Sequence, residues 1–233
     1  MVDIQLRGEL WDNDSADVLR WWGWRDITAP MDIQAALDAA GGDEVTLLIN
    51  SPGGSMAVGS EIRSMLRRYQ GKTTALFQGY GASAATLAAA GCQVIQSEPG
   101  ALLCYHNPLG QADGDYREMR RSAQGLENAR DCVLEIYLAR PGAADREALA
   151  ELMAQDTWIT PTQAKGYGLI DEIVGSGGEN ADPAAFVAAG RRIRLTAAMR
   201  ERYQVHVAEE RALAAKMEEA KRTLAKLRAL AQY

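Results

Sequence analysis

The chain has 233 residues, of which 47% are hydrophobic and 24% are charged, values typical of a globular protein. No apolar run approaches the roughly 20 residues that span a bilayer, which excludes a membrane-spanning protein, and two histidines with three cysteines are too few for a structural zinc site. The net charge of −6 combines +6 over residues 191–233 (11 basic, 5 acidic) with −12 over the rest, which argues against a nucleic-acid-binding body.

The first half of the chain alternates between strand-like and helix-like patterns. Residues 10–29, rich in Trp and Asp, are interpreted as a loop that closes with a helix start near Thr28 and Pro30. Apolar runs predict strands at 2–6, 45–50 and 73–78. Apolar residues at helical spacing predict helices at 31–40 and 56–69.

The second half continues this alternation. The predicted strands are 93–96, 101–106 and 169–174, and the predicted helices are 114–139, 144–155 and 161–168. Strands that alternate with helices indicate an α/β fold with a mainly parallel core sheet.

The end of the chain differs in composition. We predict a domain over 1–174, a linker and connecting segment over 175–204, and a basic coiled-coil-like helix over 205–233, in which His206 is interpreted as a surface residue. Six apolar residues of this tail follow the 4-3-4-3-4 spacing of a coiled-coil seam: Leu213, Met217, Ala220, Leu224, Leu227 and Ala231.

Ser83 lies where a nucleophile would be placed. It follows a β-like run and a Gly-rich bend and precedes a helix of small residues. Such a bend exposes a side-chain oxygen beside unpaired helix N–H groups, which can stabilise a developing oxyanion. A second tight strand-to-helix turn, INSPGGS, contains Gly53 and Gly54, whose backbone can approach a ligand closely.

A serine nucleophile needs an imidazole and a carboxylate. His106 comes directly after a predicted strand and is one of only two histidines. Asp156 and Asp171 are the candidates for the carboxylate that orients it, and Asp156 could instead cap a helix.

Four segments occur in this order: INSPGGS, GASAAT followed by LAAAG, YHNPLG, and DTWITPTQAKGYGLIDEIV. Together they resemble the ClpP family, the serine protease subunit of the Clp system. The DTW variant, the Trp-rich N-terminal segment and the HNP loop resemble the phage and prophage branch, the head maturation proteases. The resemblance covers residues 2–174 and implies a ClpP/crotonase-like fold with a projecting handle helix at 114–139.

The resemblance implies that Ser83 is the nucleophile, that His106 is the general base and acid, and that Asp156 orients His106. The reaction would be hydrolysis of polypeptide substrates through an acyl-enzyme, without a metal or another cofactor.

Around this triad the resemblance implies an oxyanion hole formed by the amides of Gly54 and Ala84. Gly53 would contribute to substrate binding, and Asp171 would be structural.

The family also implies a homo-oligomeric ring that encloses the active sites. The first predicted strand begins near Val2, which leaves little room for an axial gate, so coupling to a Clp ATPase stays open. The C-terminal helix, which lies outside the resemblance, would bind a capsid or scaffold protein or another copy of itself, or it would be a solvated extension or a removable pro-segment. The few, unpatterned cysteines and the absence of signal-peptide features predict a cytoplasmic protein, or one inside a prohead if it is phage-encoded.

Other functions compete with this interpretation. A serine/lysine dyad would need Lys72 or Lys165 beside Ser83. A crotonase-type acyl-CoA enzyme would use paired backbone amides without a Ser–His pair. A catalytically silent scaffolding protein would keep the fold without the activity.

Overall fold

The computed structural model describes residues 1–175 and 195–230. The strands in this part of the chain are β1 (Val2–Leu10), β2 (Ile27–Thr28), β3 (Val45–Gly54), β4 (Thr73–Ala82), β5 (Val94–Ser97), β6 (Leu102–Cys104), β7 (Trp158–Ile159) and β8 (Glu172–Ile173). The helices are α1 (Asn13–Trp21), α2 (Pro30–Ala40), α3 (Met56–Arg68), α4 (Ala84–Ala89), α5 (Tyr116–Leu138), α6 (Arg146–Gln155), α7 (Pro161–Gly166) and α8 (Ala197–Leu230).

The strands form one sheet with the order β2-β1-β3-β4-β5-β8, and β6 joins β4 to β7. Every pairing is parallel except that of β6 with β7. This confirms the predicted α/β fold with a mainly parallel sheet, together with the helical C-terminal tail. The long helix expected at 114–139 is α5.

The core lies around the two central strands. Leu47 and Ile49 of β3 and Phe77 of β4 are fully buried, and so is Ile62 of α3. The β-branched Ile49 and the aromatic Phe77 are residue types that favour strands covered by neighbouring elements. The long β3 and β4 therefore provide a rigid base for the turns that follow them.

The stretch 10–29 is not a loop, so that prediction was wrong. Asp12 caps the start of α1, because its carboxylate accepts hydrogen bonds from the Ser15 amide at 2.9 Å and from the Ser15 hydroxyl at 2.7 Å. Ala16 and Leu19 are fully buried. The tryptophans and aspartates around these residues obscured a short amphipathic helix. The helix start near Pro30 is confirmed by α2.

The chain divides into two compact units, Met1–Ala16 with Arg25–Arg192 and Asp17–Trp24 with Ile193–Tyr233. Within the second unit the Trp21 ring lies 5.0 Å from the His206 ring, so His206 is half-buried and the surface interpretation was wrong. The helix α8 begins at Ala197, inside the segment predicted as linker and connection. Most of that segment, 176–194, lies outside the described residues, as does Ala231 of the predicted seam. None of the described helices is both long and apolar enough to span a bilayer.

Candidate active site

Three strand ends meet at one edge of the sheet. β6 pairs in parallel with the last residues of β4 and antiparallel with β7. Ser83 directly follows β4, and its amide donates to the Cys104 carbonyl at 3.0 Å. Cys104 lies opposite Trp158, and the Oδ1 atom of Asp156, two residues before Trp158, lies 3.9 Å from the Cys104 Sγ. The topology thus brings together the segments that carry Ser83, Cys104 and Asp156, which are far apart in the sequence, and His106 follows Cys104 by two residues.

The backbone at Ser83 is sharply bent, with φ 56° and ψ −128°. A positive φ is unusual for a residue with a Cβ and costs about 1–3 kcal/mol, so the surrounding structure must hold it. The bend carries the chain from β4 directly into α4 and leaves the Ser83 side chain half-buried. This is the strand-to-helix geometry that presents a nucleophilic oxygen at the edge of a sheet.

Hydrogen bonds from two helices hold this bend. The Thr86 hydroxyl donates to the Ser83 carbonyl at 2.6 Å, and the Thr86 amide donates to the same oxygen at 2.9 Å. The Tyr137 hydroxyl of α5 lies 2.7 Å from the Thr86 hydroxyl and, because the single Thr86 proton is already used, must be the donor there. Sequence analysis missed this chain of contacts, although a threonine three residues after the bend is a signal for such a bond.

Gly53 packs directly against the bend. Its φ is +84°, and a Cβ at this position would lie 2.5 Å from the Ala82 carbonyl oxygen and 2.7 Å from the Ala84 nitrogen. Only glycine fits this approach. The Ala84 amide opens α4 and therefore has no acceptor within its own helix. Gly53 and Ala84 thus lie at the bend, while their predicted binding roles stay predictions.

Gly54 lies at the end of β3, against β1. A Cβ there would come within 2.4 Å of the Leu10 carbonyl oxygen. The next amide, that of Ser55, donates to this same oxygen at 3.0 Å. The turn is therefore fixed from the side of β1, and the oxyanion role of Gly54 stays a prediction.

His106 is half-buried, and its Nδ1 lies 2.7 Å from the Asn107 carbonyl oxygen. This contact favours the tautomer with the proton on Nδ1, which leaves Nε2 free to accept a proton. Asn107 is in turn held by its amide, which donates to the Met153 carbonyl at 3.1 Å. Among residues 1–175 no hydrogen bond joins His106 to Ser83 or to Asp156, so the hydrogen-bonded triad stays a prediction.

Asp156 ends α6 in a left-handed conformation with φ 47°, which aspartate tolerates better than most residues. Its side chain is exposed, and its Oδ1 lies 3.9 Å from the Cys104 Sγ. Burial, followed by the charge and hydrogen bond of Asp156, raises the pKa of Cys104 to about 12. The expectation from sequence did not include this thiol as a neighbour of the carboxylate.

Asp171 lies elsewhere. Its Oδ2 accepts hydrogen bonds from the Ile95 amide and from Arg140, each at 2.6 Å, which is the environment of a structural residue. The structure does not place either lysine alternative, Lys72 or Lys165, beside Ser83. Lys72 precedes the 10-residue strand β4 and so lies roughly 30 Å from its far end, while Lys165 is exposed on α7.

Comparison with solved structures agrees with this fold. A ClpP1 mutant from Listeria monocytogenes superposes with a TM-score of 0.59 and 21% identity, over 74% of this chain and 90% of that chain. At this identity the likeness concerns the fold alone.

Sequence comparison relates the chain to curated proteolytic subunits. The ATP-dependent Clp protease proteolytic subunit of Mesostigma viride is 33% identical over 128 residues, 54% of this chain and 56% of that protein. The ATP-dependent Clp protease proteolytic subunit 1 of Streptomyces avermitilis is 29% identical over 156 residues, 65% of this chain and 69% of that protein. The chain thus spans between about half and about two thirds of the length of these relatives.

The model of the family described as Clp protease matches residues 31–177. That span is well over half of the chain, and it contains the bend at Ser83 as well as the two segments that meet it at the sheet edge. On the strength of this match, the chain belongs to the Clp protease family.

Proposed function

We propose that the protein is a serine endopeptidase that cleaves polypeptides through an acyl-enzyme. The observation that carries this proposal is the strained bend at Ser83, placed where the ends of β4 and β6 and the start of β7 converge. A positive φ at a serine is costly, and positions of this kind concentrate at active sites. The relatives' names, which describe proteolytic subunits, support the same reaction class.

In the proposed reaction Ser83 Oγ attacks the carbonyl carbon of a peptide bond while Nε2 of His106 takes the hydroxyl proton. The new C–O bond forms as the carbonyl electrons move onto oxygen, and the amides of Gly54 and Ala84 stabilise that oxyanion. His106 then gives its proton to the departing amine, and the C–N bond breaks. Water, deprotonated by His106, releases the acyl group by the same route.

His106 changes partner in this mechanism. Its Nδ1 contacts the Asn107 carbonyl oxygen, whereas the proposed triad requires Asp156 at that nitrogen. Catalytic hydrogen bonds commonly form only when substrate is bound. The buried Asn107 Oδ1, which has no hydrogen-bond partner among the described residues, is consistent with a segment that rearranges. We therefore assign the present geometry to a resting state.

For substrates, we propose proteins of a phage head, a capsid or scaffold protein, cleaved in the host cytoplasm or in the prohead. The HNP loop, the Trp-rich segment and the DTW variant support this branch of the family. The basic tail, which lies beyond the family match, would bind such substrates and so raise their concentration near the enzyme. We further propose a homo-oligomeric ring, since an enclosed chamber protects folded neighbours from cleavage.

Hydrolysis of a fluorogenic peptide tests the proposed reaction. Wild type is expected to cleave the peptide, and Ser83→Ala is expected to lower the rate by at least about 1000-fold, since loss of the nucleophile leaves only binding and oxyanion stabilisation. Ser64→Ala, at a serine in the second half of α3, is the matched control and should keep full activity. Equal activity of Ser83→Ala and wild type would refute the proposal and favour a silent scaffold.

A further inference from the structure

One face of α8 carries a stripe of apolar and aromatic residues. The first part of this stripe is covered, and a later part is exposed. Met199, Tyr203 and His206 follow each other at spacings of four and three residues, and all are half-buried. Tyr203 and His206 pack on Trp21, at 6.0 and 5.0 Å between ring centroids. The beginning of the stripe is therefore occupied by residues of its own unit.

Further along the helix the same stripe lies open. Leu213 is 61% exposed and Met217 is 55% exposed. With Met217 as heptad position a, Leu213 falls at d, and the covered residues Met199, Tyr203 and His206 fall at d, a and d. In the sequence Ala220, Leu224 and Leu227 continue this spacing. A regular apolar stripe of this kind on a helix is a surface for another helix.

The charges that flank Met217 are basic, whereas Glu209 at position g and Glu210 at position a lie one turn before Leu213. Lys216 at position g and Lys221 at position e flank Met217, and both are exposed. The acidic residues Glu218 and Glu219 lie at positions b and c, away from the stripe. The residues at e and g positions select the partner of a coiled coil by charge.

A second copy of this helix does not fit these charges. In a parallel pair a g residue faces the e residue of the partner's next heptad, so Lys216 of one copy would face Lys221 of the other. In an antiparallel pair that packs Leu213 of one copy against Met217 of the other, position g faces position g, which again opposes Lys216 to Lys216. Both arrangements place like charges together, whereas an acidic partner would be attracted to both lysines.

We propose that the open stripe of α8, around Leu213 and Met217, binds an amphipathic helix of another protein whose apolar seam is flanked by Glu or Asp. The lysines at 216 and 221 select this partner, and the apolar residues supply the buried contact. The surface is a docking site on a part of the chain that lies beyond the family match, which ends at residue 177. The proposal stands on α8 alone and is independent of catalysis at Ser83.

Peptide binding to the full chain tests this proposal. The Ser83→Ala form is used so that no peptide is cleaved, and binding is followed by fluorescence anisotropy in low salt. Two labelled peptides of about four heptads carry Leu at a and d and differ only at e and g, with Glu in one and Lys in the other. We expect the Glu peptide to bind at least tenfold more tightly than the Lys peptide.

Three double variants separate the contribution of the apolar contact from that of the lysine charges and from general charge attraction. Leu213→Ala with Met217→Ala should weaken binding of the Glu peptide at least tenfold. Lys216→Glu with Lys221→Glu should reverse the preference in favour of the Lys peptide. Arg211→Glu with Arg222→Glu makes the same change of charge at positions b and f and should keep the preference of wild type, with helix content checked by circular dichroism.

Several results would overturn the proposal. Equal binding of the two peptides would overturn it, and so would no binding of either peptide. If the Arg211/Arg222 control lost the preference for the Glu peptide as the Lys216/Lys221 variant does, the binding would reflect general charge attraction. Self-association that is lost in the Leu213/Met217 variant would identify a second copy as the occupant. Capture by phosphatidylserine vesicles without peptide binding would identify a membrane surface instead.

Discussion

At the scale of single residues, the candidate site depends on a backbone conformation that serine does not favour. Ser83 is held at φ 56° by contacts from three directions: the Cys104 carbonyl accepts its amide proton, Thr86 donates twice to its carbonyl, and Gly53 packs against it. Each contact comes from a different element. The conformation therefore depends on the fold as well as on the local contact with Thr86.

Replacement of Gly53 by alanine should damage the site. The new Cβ would meet backbone atoms of Ala82 and Ala84 at 2.5 and 2.7 Å, which displaces the bend and the proposed oxyanion donor. We expect peptide hydrolysis to fall by about 100-fold or more, the effect of losing one such donor. Gly42→Ala is the matched control, because Gly42 also has a positive φ but has no atom within 4 Å of its added Cβ. Similar losses in both variants would show that backbone strain alone is responsible.

Alkaline pH provides a test of the Cys104–Asp156 contact. Burial and Asp156 raise the pKa of Cys104 from 9.0 to about 12 in the folded protein. Between these values the unfolded chain loses the thiol proton while the folded chain keeps it, so this group lowers the free energy of unfolding as pH rises from 9.0 towards 12. Asp156→Asn removes the negative charge and should shift the titration of Cys104 to lower pH.

The thiolate absorbance of the protein, minus that of its Cys104→Ser variant, gives the titration of Cys104 alone. The same subtraction separates Cys104 from Cys92, whose pKa burial also raises to about 12. An unchanged Cys104 titration in Asp156→Asn would mean that burial alone sets the pKa.

At the scale of elements, the sequence allowed the order of most strands and helices to be predicted, because the long β3 and β4 and the helix α5 have strong apolar periodicity. The short helix α1 was missed, since tryptophans interrupt its apolar pattern. The antiparallel pairing of β6 with β7 was also beyond prediction, because β7 has only two residues and its register depends on tertiary contacts. That pairing brings Asp156 beside Cys104 of β6.

The contact between α5 and α4 is testable as well. Tyr137 is buried, burial raises its pKa, and its hydroxyl donates to Thr86, which supports the Ser83 carbonyl. Tyr137→Phe should lower the free energy of unfolding by about 1 kcal/mol, the net value of one hydrogen bond. Denaturant titration measures this, with Tyr116→Phe on the exposed start of α5 as the control. A stability equal to that of wild type would mean that the Tyr137 hydroxyl adds nothing to the support of the bend.

At the scale of the whole molecule, the chain combines an acidic body with a basic tail. The family match ends at residue 177, and the tail beyond it contains 11 basic and 5 acidic residues over 191–233. The composition alone predicts this division, and its bounds stay a prediction. It did not reveal that α8 begins at Ala197 or that its first turns pack on Trp21, since that contact joins residues far apart in the sequence.

The central claim is that Ser83 is an activated nucleophile, and labelling with a fluorophosphonate probe tests it most directly. Wild type, Ser83→Ala and His106→Ala are each incubated with the probe, and the adducts are counted by intact mass. The account predicts one adduct per chain on wild type and none on either variant, because only a serine assisted by a base reacts with such a probe. No adduct on folded wild type, or an adduct that persists in Ser83→Ala, would contradict it.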